Sequence, residues 1–240
     1  MELIDVIRYG DSALLVQFEQ KVEVRINRAV HALNQWLLQQ EIIGVQGTIP
    51  AYCSLTVCFD PTLISFAEMS QRIVSWSYED PSTPETNRVV RIPVCYEEEY
   101  AMDMSWVEHY TRRTKQEIID DHTHAIYHTY MIGFLPGFPY LGKLPETLQV
   151  PRHSEPRLKV PRGAVGLAGD QTGIYPCAAP GGWQIIGQTP IPLFDGVSGK
   201  GALLQAGDRV QFFAVSPQVY RMIARDIESG NFNLKSLYVW

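Results

Sequence analysis

The hydrophobic pattern of residues 1–85 predicts a small domain of strands and helices. Two short strands are predicted at Leu3–Arg8 and Ala13–Phe18, with a turn at Gly10–Asp11 between them. From Ser54 to Phe59 polar and apolar positions alternate, as they do in a half-buried strand. Two other segments carry apolar residues at helical spacing, which predicts two amphipathic helices. Their apolar stripes are Val22, Ile26, Val30, Leu33 and Leu37 in the first helix and Phe66, Met69, Ile73 and Trp76 in the second.

The order of these elements, β-β-α-β-β-α, favours an antiparallel sheet with both helices packed on one side. After them, the polar and proline-rich segment Asp80–Asn87 is the best candidate for a linker. We therefore expect two domains, residues 1–85 and residues 86–240. In the second domain many short apolar runs are separated by tight turns, which favours a closed or nearly closed β-barrel over a sandwich. The expected fold class is an α+β N-terminal domain followed by a mainly β barrel domain.

A few elements of the second domain can be placed individually. Thr114 and Glu117 have the spacing of a capping box, which marks the start of a helix. Pro217 suits the first turn of a final helix that runs to about Ser229. Gly207 predicts a turn that leads into a strand. The other predictions are a strand at Val90–Val94, helices near Ser105–Arg112 and Lys115–Asp121, and a strand near Ala125–Ile132.

The stretch from Gly133 to Asp195 has the most unusual composition of the chain. It holds 10 of the 18 glycines and 10 of the 16 prolines, a density that excludes long helices. It is also rich in aromatic and branched apolar residues, which a disordered linker would lack. We therefore expect an ordered β region of tight turns, and such regions often carry binding and catalytic sites.

Charge and cysteine content narrow the classes of function. The net charge of -6 argues against general binding to nucleic acid or to an anionic membrane, and no apolar run approaches membrane-spanning length. The acidic N-terminus lacks the apolar core of a signal peptide. The cysteines show neither C-x-x-C pairing nor zinc-site spacing. We therefore expect a cytoplasmic protein with reduced thiols and with no nucleic-acid or membrane partner. The four cysteines are Cys53, Cys58, Cys95 and Cys177.

The segment Pro151–Gly163 concentrates cations on a stiff, proline-rich backbone. Arginine forks such as those of Arg152 and Arg157 bind carboxylate or phosphate in bidentate fashion. His153 lies between them and is a candidate for an acid–base role. An edge strand that carries solvated charge would have the same composition. We favour an anion site for Arg157.

The segment Gly169–Pro176 places polar side chains between two glycines, so a ligand can approach the backbone closely. Asp170 can act as a general base, while Gln171 and Thr172 can donate hydrogen bonds. The alternative is a hairpin turn in which Asp170 bonds its own backbone. On composition alone the turn is favoured, because turns of this kind are common.

Two aromatic motifs can form either pocket walls or core. In the motif GFLPGFPYLG the glycines and prolines hold a loop, and Phe138 is a candidate wall of a pocket. In the segment Pro180–Pro190 the paired glycines Gly181 and Gly182 stand beside Trp183. The indole can line a pocket, and it can equally anchor a core. Both alternatives stay open for each motif.

Three histidines, at positions 122, 124 and 128, have the spacing H-x-H-x3-H. On one strand they would share a face and could bind zinc. There is no cysteine nearby, however, and His122 also falls at the end of a predicted helix. Because a metal needs three or four converging ligands, we expect no metal site. The sequence also lacks a Walker loop, a dinucleotide-binding fingerprint and a nucleophile elbow.

The motifs together resemble the family of allophanate hydrolase subunit 1, which includes the kinase inhibitor KipI and the B subunit of bacterial 5-oxoprolinase. The resemblance rests on GFLPGFPYLG, on PRxxxPRxxVPxGxVGxAGxQTGIYP and on PGGWQxIGxTP. Four further stretches match the family as well, so that the resemblance covers nearly the whole chain. They are IRYGDSALLVQF, IPAYCSLTVCFDP, RIPVCYEEEY and LLQAGDRVQFF.

The resemblance implies a small α/β domain followed by a cyclophilin-like β-barrel. It implies a stand-alone subunit rather than a fused urea amidolyase, because 240 residues leave no room for the fusion. The implied activity is ATP-dependent opening of 5-oxo-L-proline to L-glutamate, carried out with subunits A and C. ATP, with Mg²⁺, would then be used without any tightly bound cofactor. The alternative implied by KipI is a regulatory protein that binds a sensor histidine kinase and blocks phosphotransfer.

The resemblance also adds candidate residues to the site. His122 matches a histidine of the family pattern, which makes it a third catalytic candidate. The family often has other residues at the positions of His153 and Asp170. The catalytic candidates are Asp170, His153 and His122. The candidates for binding substrate or an anion are Arg152, Arg157, Gln171, Thr172, Tyr175, Gly181, Gly182, Trp183 and Phe138.

Overall fold

The computed structural model describes residues 5–77, 89–197, 199 and 201–239. The described residues form two compact units, one on each side of the gap at residues 78–88. The predicted linker, Asp80–Asn87, lies outside the described residues. Leu3 and Ile4, the start of the first predicted strand, also lie outside them.

The smaller unit is a four-stranded antiparallel sheet with two helices. Its elements follow the predicted order β-β-α-β-β-α, and its strands pair in the order β1-β2-β4-β3. The strands are β1 (Asp5–Arg8), β2 (Ala13–Gln17), β3 (Val45–Pro50) and β4 (Ser54–Phe59). The helices are α1 (Val24–Gln39) and α2 (Phe66–Val74).

One core holds this sheet and both helices together. The α1 stripe of Ile26, Val30 and Leu33 is fully buried in the same cluster as Leu55 and Val57 of β4. Period-four spacing on the helix and period-two spacing on the strand bring these side chains to one interface. Helix α2 begins with a capping box of Ser65 and Glu68, a start signal that the apolar pattern alone does not use.

The larger unit contains an eight-stranded sheet in the order β12-β9-β10-β7-β6-β15-β5-β16. The pair β15–β5 is parallel and the other pairs are antiparallel. Two small sheets, β8–β11 and β13–β14, accompany it. The strands are β5 (Val89–Val94), β6 (Tyr127–Ile132), β7 (Pro139–Gly142), β8 (Arg157–Val160), β9 (Ala164–Ala168), β10 (Gln171–Ile174), β11 (Ala179–Gly181), β12 (Gln184–Gln188), β13 (Phe194–Asp195), β14 (Gly201–Ala202), β15 (Arg209–Ala214) and β16 (Tyr238–Val239).

Within the described residues this sheet is not a closed barrel, so the predicted closure is corrected. Strand β5 pairs with β15 along its whole length and with β16 at Val89 and Val90 on its other edge. Strand β12, at the other end of the order, reaches the β5 segment only through a bridge between Cys95 and Gln188. The two N–H···O distances of that bridge are 2.9 and 3.0 Å. The unit is thus a large mixed α/β structure in which one residue pair joins β12 to the segment that follows β5.

Three helices complete the larger unit: α3 (Met104–Thr111), α4 (Lys115–His124) and α5 (Pro217–Glu228). The predicted capping box opens α4, and proline occupies the first turn of α5. Helix α4 runs three residues beyond the predicted Asp121, so it carries His122 and His124, whereas His128 lies on β6. The three histidines therefore do not share the face of one strand. No helix in the described part of the chain has the length and apolarity needed to cross a membrane.

Candidate functional site

A buried carboxylate lies at the start of α3. Asp103 has the N-cap position, yet its side chain accepts no hydrogen bond from the helix. Its Oδ2 instead accepts from the backbone N–H of Ile185, with N···O 2.7 Å, while its own N–H donates to the Ile185 carbonyl at 2.9 Å. These two bonds fasten the beginning of α3 to β12. The residue is 4% exposed, so its charge requires a partner.

Arg157, the first residue of β8, is that partner. Its Nη2 donates to Oδ1 of Asp103 in a short contact, and its Nη1 lies 2.6 Å from Nε2 of His153. The backbone N–H of His153 donates to the carbonyl of Gly182 at 2.7 Å, which fastens the loop before β8 to the end of β11. Three segments that are distant in the sequence therefore meet here. We call Asp103, His153 and Arg157 the Asp103 cluster.

Hydrogen bonding determines which ring nitrogen of His153 carries the proton. The Arg157 guanidinium has only donors, so Nε2 of His153 must accept from it. Nε2 also lies 3.4 Å from Oδ2 of Asp103, but without a proton it cannot donate to that oxygen. A neutral imidazole carries one N–H, which is therefore on Nδ1. Among the described residues Nδ1 has no hydrogen-bond partner, and the His153 side chain is 24% exposed.

Exposed aromatic and cationic groups surround the cluster. Trp106 and Tyr110 stack on the outer face of α3 with ring centroids 5.0 Å apart, and they are 40% and 52% exposed. The Trp106 ring lies 6.5 Å from the His153 ring. On the other side, the exposed Arg152 holds its guanidinium 5.8 Å from the centre of the Trp183 ring. Of the two predicted anion-binding arginines, Arg152 has no acidic partner within the described residues.

The predicted aromatic walls form a core beneath this surface. Phe138, Tyr175 and Trp183 are each at most 5% exposed, and Phe138 meets the other two rings edge to face at 5.2 and 5.4 Å. Burial raises the pKa of the Tyr175 hydroxyl. A Cβ at Gly181 would lie 2.7 Å from Cζ of Tyr175, so the ring requires glycine there. This placement favours the core alternative for all three rings.

His122 and Thr172 lie together in a separate, fully buried network. The Tyr96 hydroxyl donates to Nδ1 of His122 at 2.7 Å, and Nε2 lies 3.1 Å from Oγ1 of Thr172. Because Thr172 gives its own proton to the Gly166 carbonyl, Nε2 of His122 is the donor in that contact. Burial lowers the pKa of His122 to about 3, so the ring is neutral. Both ring nitrogens are satisfied by protein groups, which favours a structural role over the predicted catalytic one.

Asp170 and Gln171 lie at the hairpin between β9 and β10. Gly169 supplies the positive φ of 61° that the turn needs, and the Asp170 carbonyl accepts from the Leu144 N–H at 2.7 Å. Asp170 lines a separate open cavity of about 840 Å³ rather than the Asp103 cluster. Tyr110 and Lys143 line the same cavity. The predicted hairpin is present, but within the described residues the Asp170 side chain has no hydrogen bond to its own backbone. An acid–base role for Asp170 stays a prediction.

Sequence reasoning overlooked Asp103, Trp106 and Tyr110. Asp103 stands where an aspartate ordinarily caps a helix, so its sequence context suggests nothing else. Its pairing with Arg157 spans 54 positions and exists only once β8 and β12 are in place. The one local signal is the spacing of Trp106 and Tyr110, which puts two large aromatics on one helix face.

A family model covers most of the chain. Residues 4–204 match the model described as "Carboxyltransferase domain, subdomain C and D". The match includes the whole Asp103 cluster and the Gly/Pro-rich stretch that supports it.

Curated relatives and a solved structure agree with that match. The chain is 40% identical over 222 residues to the 5-oxoprolinase B subunit of Bacillus subtilis, covering 88% of this chain and 92% of the relative. It is 39% identical to the 5-oxoprolinase B subunit of Haemophilus influenzae, covering 87% and 97%. The crystal structure of TTHA0988 superposes with a TM-score of 0.76 at 32% identity. That alignment covers 85% of this chain but 40% of the solved one, which is therefore a longer protein.

Proposed function

The chain belongs to the family of the carboxyltransferase domain, subdomains C and D, and from this premise we propose that it is the B subunit of an ATP-dependent 5-oxoprolinase. In this function it acts with other subunits to convert 5-oxo-L-proline to L-glutamate. The observation that carries the proposal is the 40% identity to a 5-oxoprolinase B subunit over 88% of this chain and 92% of that relative. We expect little activity from the chain alone.

The chemistry of the reaction explains what such a site must provide. The lactam of 5-oxo-L-proline is an unstrained amide and a poor electrophile. Phosphorylation of the amide oxygen turns it into a good leaving group, which accounts for the use of ATP. A site for this reaction needs a cation for the substrate carboxylate and donors for the charge that develops on oxygen.

The Asp103 cluster and its surroundings can supply the part of this chemistry that holds the substrate. Arg152 is exposed and has no acidic partner in the described parts of the chain, so its charge is available to a carboxylate. The Nδ1–H of His153, the next residue in the chain, is a second donor. The charge of Arg157, by contrast, is already offset by Asp103. Gly182 brings its carbonyl to 2.7 Å from the backbone N–H of His153.

The described residues contain no preformed metal centre that would hold Mg²⁺ without the nucleotide. Across the described ranges there is no group of three His, Cys, Asp or Glu side chains placed to hold a metal ion. We therefore propose that other subunits hold most of the nucleotide, and we derive no step through it. The role assigned to this chain is to bind and orient the cyclic amide.

Subunits A and C are the proposed partners, in the cytoplasm. TTHA0988 joins a segment similar to this chain to a longer one, which supports a function carried out together with another polypeptide. All four cysteines are free thiols, as in a reducing compartment.

The proposal is tested by purifying the chain with subunits A and C and measuring ATP-dependent release of glutamate. Arg152→Ala should raise KM for 5-oxo-L-proline by about 10- to 100-fold, the loss expected for a hydrogen bond to a charged group. Arg162→Ala, at another exposed arginine, is the matched control and should leave KM unchanged. Equal kinetics in the two variants would remove Arg152 from the site.

The alternative, a regulator that binds a sensor histidine kinase, needs an exposed apolar docking patch. Trp106 and Tyr110 provide an exposed aromatic pair of that kind. A reconstituted complex that releases no glutamate, together with tight binding of this chain to a histidine kinase, would support the alternative and overturn the enzyme proposal.

A further inference from the structure

We propose that Asp103 and Arg157 fix His153 in its Nδ1–H tautomer, and that this N–H donates to an anionic oxygen of the ligand. Arg157 then acts as a positioning residue for His153. Only the identity of the ligand, the carboxylate of 5-oxo-L-proline, rests on the proposed function.

The argument begins with the orientation of Arg157. Its Nη2 is held by Oδ1 of Asp103, and that carboxylate is itself held by the Ile185 N–H. Asp103 is buried, so neither partner can turn away without leaving a charge unpaired in the interior. The guanidinium plane is therefore set by groups outside any ligand site.

The fixed guanidinium then decides which nitrogen of His153 carries the proton. Arg157 cannot lose a proton in a protein, so its Nη1 always presents a donor to Nε2. A proton on Nε2 would face another N–H at a separation of 2.6 Å, which is repulsive. The tautomer with the proton on Nδ1 is the arrangement that satisfies both residues.

The same geometry gives Arg157 a positioning role, because two of its five N–H donors face protein acceptors. Both terminal nitrogens already have protein partners, Asp103 and His153. Nδ1 of His153, in contrast, has no partner in the parts of the chain that the structure describes, and its ring is partly exposed beside Trp106. The imidazole N–H of His153 is thus a fixed donor that no described protein group uses, and Arg157 acts on the ligand by fixing it.

Histidine ring ¹⁵N–¹H correlation spectra of the full chain test the tautomer directly. We expect the His153 signals to show a protonated Nδ1 and an unprotonated Nε2 in spectra recorded at about pH 8. A His153→Gln variant identifies the signals. His124 is an internal reference, because its Nδ1 lies 2.6 Å from the Asp120 carbonyl and must carry its proton there.

The double variant Asp103→Asn/Arg157→Met removes the guanidinium that donates to Nε2 of His153, and it leaves no buried charge behind. The asparagine oxygen can still accept from the Ile185 N–H. We expect His153 to lose the Nδ1–H pattern in this variant while His124 keeps it. The proposal is overturned if wild-type His153 carries its proton on Nε2, or if its tautomer is unchanged in the folded double variant.

Steady-state kinetics of the reconstituted complex test whether the Nδ1–H of His153 donates to the ligand. Both His153→Gln and the double variant should raise KM for 5-oxo-L-proline about 10-fold or more with a smaller change in kcat, because a binding contact is lost. An unchanged KM would contradict the donor role. The Nδ1–H pattern in a chain whose complex releases no glutamate would instead refute the proposed function and leave the tautomer assignment standing.

Discussion

Two histidines of the larger unit, His122 and His153, are both neutral and both hydrogen-bonded at Nε2, but they differ in what their other nitrogen meets. At His122 the second nitrogen accepts from the buried Tyr96 hydroxyl, so that the network is closed. At His153 it has no partner among the described residues and the ring is partly exposed. The comparison teaches that a histidine alone does not mark a candidate site. What distinguishes the site from the core is a ring N–H without a protein acceptor.

The supporting groups differ in the same way. The His122 network consists of neutral groups and stacks on Phe212 at 4.5 Å, so it stabilises the core without charge. The Asp103 cluster buries a full carboxylate and balances it with Arg157. Burying a charge pair is costly and adds little net stability. The Asp103–Arg157 pair is therefore better explained by its effect on the orientation of His153.

The largest expected effect comes from opening the charge pair. Asp103→Leu should lower the free energy of unfolding by about 3 kcal/mol, the low end of the usual cost because the Arg157 side chain is 30% exposed. The control Asp103→Asn keeps an acceptor for Ile185 and should cost about 1 kcal/mol. Denaturant titration measures both; because both variants remove the charge, equal losses would show that the acceptor oxygen kept by asparagine adds no stability.

The backbone beneath the cluster provides the next test. In Gly181→Ala the new methyl group meets the buried Tyr175 ring, so we expect a loss of about 2 kcal/mol in unfolding free energy. Gly182→Ala is the matched control, because its nearest neighbour would be 3.6 Å away, at the His153 carbonyl. Thermal unfolding of the two variants should differ clearly; similar midpoints would contradict the packing described for Tyr175.

The buried hydrogen-bond network around His122 predicts that the free energy of unfolding depends on pH. The pKa of His122 falls from 6.5 in the unfolded chain to about 3 in the folded one, so on acidification the unfolded chain takes up the proton first. Its contribution to stability is complete above about pH 6.5 and declines toward pH 3, by about 1.4 kcal/mol per pH unit. At about pH 5 the loss is about 2 kcal/mol. His122→Gln should unfold with a smaller pH dependence in this window, and an unchanged slope would contradict the assignment.

The smallest effect concerns Thr172. Thr172→Val removes the donor to Gly166 and the acceptor for His122, which should cost about 1 to 2 kcal/mol of unfolding free energy. Since Thr172 is fully buried, glutamate release per folded molecule should stay close to wild type in the complex. A large rise in KM at unchanged stability would instead support the ligand role predicted from the sequence.

Local sequence signals predicted the elements well and the site only in part. The Ile26–Leu37 stripe and the Thr114–Glu117 capping box each act within a few residues, and both are present as expected. The Asp103–Arg157 pair depends on strands that meet across 54 positions, so no local pattern reveals it. The sequence predicts Gly181 as a ligand contact, whereas its closest constraint is the Tyr175 ring.

The prediction of a closed barrel was wrong for a related reason. Short strands and tight turns indicate a curved sheet, but they do not say which strand takes the last free edge. Strand β16 pairs with the first two residues of β5, and β12 is joined to the end of this segment by the Cys95–Gln188 bridge. The prediction failed at a pairing between segments far apart in the chain, as it did at the site.

The contrast between the two histidines is tested most directly by steady-state glutamate release from the complex with subunits A and C. His153→Gln should lower kcat/KM for 5-oxo-L-proline about 10- to 100-fold, while His122→Gln should stay near wild type per folded molecule. The opposite result, a strong loss in His122→Gln and none in His153→Gln, would contradict the account.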